Sequence, residues 1–348
     1  MPKNRIYNVF LESFRRFYRT ASIDTMLWTF HTIEFTIYTI LALVEYFLFG
    51  FSPFITIART ALSFCGLRVL PLLHFQEAKQ KYGSPSPPHL QLSKFDQTWT
   101  LIWGYISFVF LYFFMQPFDR WVTPLLESDC LRSRWRGENH LRGNCVEHPV
   151  LLVHGFCCNS MFWLPTRAYL YWMGVRDVFS VSLAPCLGDI SAYARTISNK
   201  VDAILQKTGA EKVIIVGHSM GGIASRCYIH ELNGFSKVEK LIALASPHNG
   251  TQIANWSPLK LLKLERSCIL QMAVGSSFLE GINRMEISKE GPKVPMTNIF
   301  SYDDDIVLPQ ESSILERGYP FGYAIFTKNK QVGAEGAQGG SFNTHQAA

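Results

Sequence analysis

Two long apolar runs precede a region of quite different texture. Residues 26–49 and 98–118 are almost continuously hydrophobic, and the second run, TWTLIWGYISFVFLYFFMQPF, carries no charge before Asp119. About 20 apolar residues suffice for a helix to cross a bilayer, so both runs predict spanning helices. The segment 54–75, FITIARTALSFCGLRVLPLLHF, has similar apolar density but contains Arg59 and Arg68. Each arginine costs about 2.5 to 3.5 kcal/mol at a helix centre, so the segment fits either a third span or a stretch lying at the interface. From Pro149 onward, short apolar runs alternate with amphipathic stretches, the pattern of a parallel sheet covered by helices. Strands are expected at 149–155 (PVLLVHG), 178–185 (VFSVSLAP), 212–216, 240–246 (KLIALAS) and 296–301 (MTNIFS). Between the second and third, Ile190, Tyr193, Ile197, Val201, Ile204 and Leu205 fall on one helical face, with Asp189 placed to cap the helix and Gly209 to stop it. A helix is also expected from the end of the third strand through Leu232, and 251–294 reads as loop-rich.

This pattern divides the chain into an N-terminal membrane-anchoring region at 1–120, a linker at 121–148 and an α/β domain at 149–348. Pro-rich Ser84 to Pro88 reads as a connector, and there is no internal repeat. Glu34 and Glu45 within the first apolar run read as helix contacts or interfacial ends rather than as a polar pathway. That run is long, partly acidic and without a small-x-small cleavage site, which favours an anchor over a signal peptide.

Composition agrees with a membrane location. Hydrophobic residues make up 48% of the chain and charged residues 17%, an apolar balance for a soluble protein. The net charge is +6, but the basic residues are scattered and no zinc-finger, RNP-like or basic-zipper pattern occurs, which excludes nucleic acid as a partner. Lys3, Arg5, Arg15, Arg16 and Arg19 at the start mark a cytoplasmic flank. Two spans then leave the α/β domain in the cytoplasm and three place it outside. Arginines after Trp121 favour the first arrangement, whereas Lys79, Lys81 and Lys94 favour the second. Of the eight cysteines, none forms a C-x-x-C pair; Cys130 and Cys145 flank an arginine-rich segment and could pair in an oxidising compartment.

The chemistry centres on Gly217-His218-Ser219-Met220-Gly221, which follows an apolar strand and opens a helix. In such a G-x-S-x-G turn the small residues let strand turn sharply into helix, so that the serine stands out at the sheet edge as a nucleophile. The helix start favours a developing negative charge. Two backbone amides are expected to form an oxyanion hole, Met220 directly after the serine and Phe156 after the strand ending in His154-Gly155. The acid is expected at a later strand end, where NIFSYDDDIVLP offers Asp304, with Asp303 and Asp305 as alternatives. This run lacks the calcium-loop spacing, and neither metal nor organic cofactor is implied. His345 is the only histidine after Asp304 and is the candidate base; His154 reads as a residue that holds its loop.

VLLVHGF, VIIVGHSMGG, LIALASPHNGT and IFSYDDDIVLPQ, in this order, resemble the bacterial lipases of the α/β-hydrolase superfamily, in particular membrane-anchored triacylglycerol-lipase-like proteins. MQPFDRW does so more loosely, and together these segments extend the resemblance over nearly the whole chain. It implies an α/β-hydrolase fold after an N-terminal helical membrane region, a place in the bacterial inner membrane, and hydrolysis of lipid esters. Ser219 matches the nucleophile, Asp304 the acid of S-x-x-D-x-[IV]-V, Phe156 and Met220 the oxyanion amides, and His248 a structural residue of a loop near the site. The chain departs from the family at its end, which reads KNKQVGAEGAQGGSFNTHQAA in place of a G-x-G-H-type turn and closing helix. The expected function is thus a lipase or esterase acting on a lipid or acyl ester at a membrane, with the apolar stretch Ile253 to Leu279 as lid or cap. The alternatives are a non-catalytic membrane-tethered binding scaffold, and an acyltransferase or lipid-anchor deacylase using the same site.

Overall fold

The structure is a computed structural model that describes residues 20–49, 52, 54–55, 57–60, 69–86, 88, 91–128, 148–255, 266–288, 294–315 and 324–326. The N-terminal region holds α1 (Ile23–Phe49), α2 (Val69–Tyr82), α3 (Lys94–Phe110) and α4 (Asp119–Leu126). The domain that follows runs β1 (Val150–Val153), α5 (Leu164–Trp172), β2 (Val178–Val181), α6 (Ile190–Thr208), β3 (Val213–His218), α7 (Met220–Glu231) and β4 (Val238–Leu244). It continues through α8 (Gln252–Asn255), α9 (Cys268–Gln271), α10 (Ser277–Ser288), β5 (Met296–Phe300) and β6 (Ala324–Phe326).

The six strands form one sheet in the order β2-β1-β3-β4-β5-β6, with every neighbouring pair parallel. The chain leaves β1 for β2 on one side and returns to β3 on the other, so strand order reverses between β1 and β3. In open α/β sheets the crevice at the carboxyl ends of the strands at such a switch point is where ligands bind. The strands are apolar because helices cover both faces. Every residue of β1 and β2 is buried, as is α7 from Met220 to Ile229. In α6 the expected stripe of Ile190, Tyr193, Ile197, Val201 and Ile204 faces the core. Asp189 caps that helix by accepting from the Ser191 amide at 2.8 Å, and Gly209 ends it at φ 72°, a left-handed conformation that glycine adopts without strain.

The first apolar run is helical from Ile23, and its Ile23–Val44 part is the one helix among the described residues long and apolar enough to cross a membrane; so near the N-terminus, a signal sequence and an anchor meet that test equally. Ala21, Ile23 and Met26 are buried in the same core as Leu183 and Leu187, and the Cys186 amide donates to the Ala21 carbonyl at 3.0 Å. Beyond this root the helix exposes its hydrophobic side chains, Phe35 and Phe47 to 74%. The second run does not continue as a single helix over 98–118. α3 has 17 residues and stops at Phe110, a π-helical turn covers Leu111–Met115, and a 3-10 turn covers Gln116–Phe118. Its last residues break away because Met115, Gln116 and Pro117 are buried against the domain, and Pro117 has no amide to donate to a regular helix. Of the third run, 54–75, residues 61–68 lie outside the described residues, as does 129–147 with Cys130 and Cys145.

The start of the expected linker is folded onto the domain. Glu127, just past α4, accepts from the Ser180 amide at 2.8 Å and pairs with Lys200 at 2.6 Å and with buried Arg167 at 3.5 Å. Arg167 also donates to the Val178 carbonyl and the Ser180 hydroxyl. The stretch expected as a lid is packed into the core where it is described: Ala254, Cys268, Ile269, Met272, Ala273 and Leu279 are all buried, and 256–265 lies outside the described residues.

Candidate active site

Ser219 occupies the turn between β3 and α7 with φ 51° and ψ −120°, a backbone conformation unfavourable for any residue with a Cβ. Three glycines allow it. A Cβ on Gly217 would lie 2.6 Å from the Gly222 amide nitrogen, one on Gly221 would strike the Val153 and His154 carbonyls, and one on Gly222 would strike the Ser246 hydroxyl. The start of α7 therefore presses against the end of β1, which sets the Met220 amide beside the loop that follows β1. The Ser219 amide is fixed by donating to the Leu244 carbonyl at 2.8 Å.

The β1 loop meets the serine from the other side. A Cβ on Gly155 would sit 3.1 Å from the Ser219 Cβ, so only glycine permits this approach. Phe156 follows directly, and Cys157 takes φ 54°. His154 is buried; its Nδ1 donates to the Gly155 carbonyl at 2.8 Å and its Nε2 accepts from the Leu183 amide at 2.8 Å. Both ring nitrogens are thus engaged, and burial pushes the pKa down to about 4. His154 joins the loops after β1 and β2 and has no free nitrogen for the serine. His218 stacks on Phe162 with ring centres 4.6 Å apart, and burial lowers its pKa to about 4 as well.

The N-terminal region supplies a brace for this loop that sequence reading missed. Asn159 donates to the Gln116 carbonyl at 2.7 Å, the Ser182 hydroxyl donates to Asp119 at 2.6 Å, and the Ser160 amide donates to that same hydroxyl at 2.9 Å. The one signal in the sequence was polar Gln116 and Asp119 at the end of an apolar run, which does not specify partners so far along the chain.

The three aspartates stand at the carboxyl end of β5, on the same sheet edge as Ser219 and two strands across. Asp304 turns one carboxylate oxygen inward to accept from the amides of Ile306 and Val307 at 2.8 and 2.9 Å. Its other oxygen accepts no hydrogen bond among the described residues. Burial raises its pKa from the ordinary carboxylate value, and those two amides oppose the rise. Asp305 is held instead by Lys79 at 2.9 Å and Gln76 at 3.0 Å. Asp303 has its carbonyl bound by Lys79 at 3.0 Å and its carboxylate 3.9 Å from that ammonium. The HNGT loop braces the same turn: the Thr251 hydroxyl donates to the Ile306 carbonyl at 2.6 Å, and the Gln252 amide donates to the Leu308 carbonyl at 2.8 Å. His248 is fully buried, with Nδ1 accepting from Arg226 at 3.2 Å and Nε2 donating to Asn298 at 3.0 Å.

The structure therefore brings Ser219, Met220 and the Phe156 loop together and puts Asp304 on the same edge. His345 lies outside the described residues. Among the described residues, no cluster of three or more His, Cys, Asp or Glu side chains could hold a metal ion.

Residues 187–317, which include Ser219 and Asp304, match the family model of the PGAP1-like alpha/beta domain. The chain is 28% identical to lipase B of Pseudozyma antarctica over 186 residues, which cover 51% of this chain and 52% of that one. It is 29% identical to a triacylglycerol lipase of Pseudarthrobacter phenanthrenivorans over 121 residues, covering 32% of this chain and 36% of that one. In this part the chain is thus similar to the PGAP1-like alpha/beta domain and to lipases. Among solved structures, a mature lipase of Bacillus licheniformis matches the chain with a TM-score of 0.39 at 25% identity, covering 44% of this chain and 65% of that one. The chain spans about half or less of the length of these two curated relatives.

Proposed function

We propose that the chain is a membrane-anchored serine hydrolase that cleaves carboxylic esters of lipids. The observation that carries this reading is Ser219, held at φ 51° on the switch-point edge of the sheet with Gly155 packed against it. In this reading the Ser219 hydroxyl attacks the acyl carbonyl while His345 takes its proton. The Phe156 and Met220 amides receive the oxyanion, and the free oxygen of Asp304 orients the imidazole and stabilises its protonated form. His345 then protonates the departing alcohol, leaving an acyl group on Ser219, which water releases in the second half of the reaction. An alcohol taking the place of that water would turn the same site to acyl transfer. The curated lipase relatives and the exposed apolar surface of α1 support a lipid ester as substrate and a bilayer as its source.

The test is hydrolysis of p-nitrophenyl esters of short and long acyl chains by the detergent-solubilised full chain. Wild type is expected to turn over the long-chain esters, and Ser219→Ala and His345→Ala are each expected to lose on the order of 10³-fold or more in kcat, as happens when a triad member is removed. A wild type silent on every ester would favour the reading as a non-catalytic scaffold. Activity surviving in His345→Ala alone would require another base.

A further inference from the structure

The acid loop sets three consecutive carboxylates next to one another and holds them differently: Asp305 by Lys79 and Gln76 of α2, Asp304 by two amides of its own loop. We infer that Lys79 and Gln310 are positioning residues through which the N-terminal region sets the Asp304 carboxylate; the inference rests on the proposed role of Asp304 as the acid.

Lys79 grips both neighbours of Asp304. Its ammonium lies 2.9 Å from the Asp305 carboxylate and 3.9 Å from that of Asp303, and it donates to the Asp303 carbonyl at 3.0 Å. Gln76, one turn earlier on α2, takes the second oxygen of Asp305 at 3.0 Å. With 303 and 305 drawn toward α2, the 304 side chain turns into its own loop, where the Ile306 and Val307 amides take one oxygen. Gln310, 1% exposed, supplies the second hold. Its Nε2 donates to the Asp304 carbonyl at 2.8 Å, and its Oε1 accepts from the Ser84 amide at 2.7 Å. Ser84 lies just past the end of α2, so one N-terminal segment fixes the acid loop on both sides of Asp304.

Half-exposed ion pairs add little to stability. Geometry is where this pair acts, because misplacing a catalytic group by about 1 Å can cost roughly 10²-fold in rate. The Lys79 charge also opposes the effect of burial and of Asp305 on Asp304, favouring its ionised form.

The experiment compares kcat, KM and the pH dependence of kcat/KM for the full chain in detergent micelles. The variants are Lys79→Met, Lys79→Arg, Gln310→Met and Asp304→Asn, with Lys212→Met, whose partner Glu239 is half-exposed at the start of β4, as the control. Lys79→Met and Gln310→Met are expected to lower kcat about tenfold or more with KM unchanged. Lys79→Met is also expected to move the acid limb of the profile to higher pH, and Lys79→Arg to restore both. If Lys79→Met does not fold, Lys79→Gln takes its place in the same comparison. Wild-type kcat and an unmoved acid limb in both truncations, with Asp304→Asn inactive, would overturn this inference and leave the proposed function intact. A wild type that is itself inactive would overturn both.

Discussion

Ser219 and His154 show how single side chains are committed at this site. Ser219 accepts a strained backbone, which costs of order 1–3 kcal/mol and must be sustained by the packing of Gly217, Gly221 and Gly222 around it. His154 gives both ring nitrogens to backbone groups, and its commitment is visible in pH. Its folded pKa is about 4 against an ordinary 6.5, so between these values the unfolded chain binds the extra proton. Stability from this group is therefore complete above pH 6.5 and is lost as pH falls toward 4, at about 1.4 kcal/mol per pH unit. His218, also lowered to about 4, acts in the same window and direction. Thermal melts of wild type at pH 7 and 5 are expected to show this loss, and His154→Gln, which cannot be protonated, is expected to have a smaller difference between the two pH values. An equal difference in that variant would contradict the assignment. The glycines of the turn were legible in the sequence because each has a local reason: a small residue where backbones touch. Among the three aspartates composition and spacing gave no such local reason; the S-x-x-D-x-[IV]-V resemblance pointed to Asp304, and the contacts of Lys79 and Gln76 with Asp305 come from a segment more than 200 residues away in the chain.

At the scale of elements, legibility followed locality. α6 was readable end to end because its apolar stripe, its Asp189 cap and its Gly209 stop all lie within one stretch of chain. The apolar run at 98–118 was misleading because hydropathy does not separate residues that face lipid from residues buried against a neighbouring domain; Met115 and Pro117 belong to the second kind. β6, three residues long, has too little pattern to be found. The contacts of α4 and Glu127 with β2 were equally hidden, since they join residues 119–127 to 167–200. Glu127 is the strongest of these contacts, as it neutralises an Arg167 side chain that is 2% exposed. Removing one member of a buried pair leaves an uncompensated charge and typically costs 3–5 kcal/mol. Glu127→Ala is therefore expected to destabilise the domain by about 3 kcal/mol in denaturant unfolding. A change under 0.5 kcal/mol would show that Arg167 finds sufficient partners in Val178, Ser180 and Tyr171 alone.

Over the whole molecule, the N-terminal region is tied to both loops that complete the site. Gln116 and Asp119 fasten the loop of Phe156, and Lys79 and Ser84 fasten the loop of Asp304. The apolar surfaces of α1 and α3 thus continue from segments that are rooted in the domain, the arrangement the proposed membrane-anchored hydrolase would need. Whether Ser219 is an activated nucleophile is read by reacting the full chain in detergent micelles with a fluorophosphonate and locating the adduct by mass spectrometry. A single adduct is expected on Ser219, absent from Ser219→Ala and formed far more slowly in His345→Ala. Failure of the folded wild type to label at Ser219 would contradict that role.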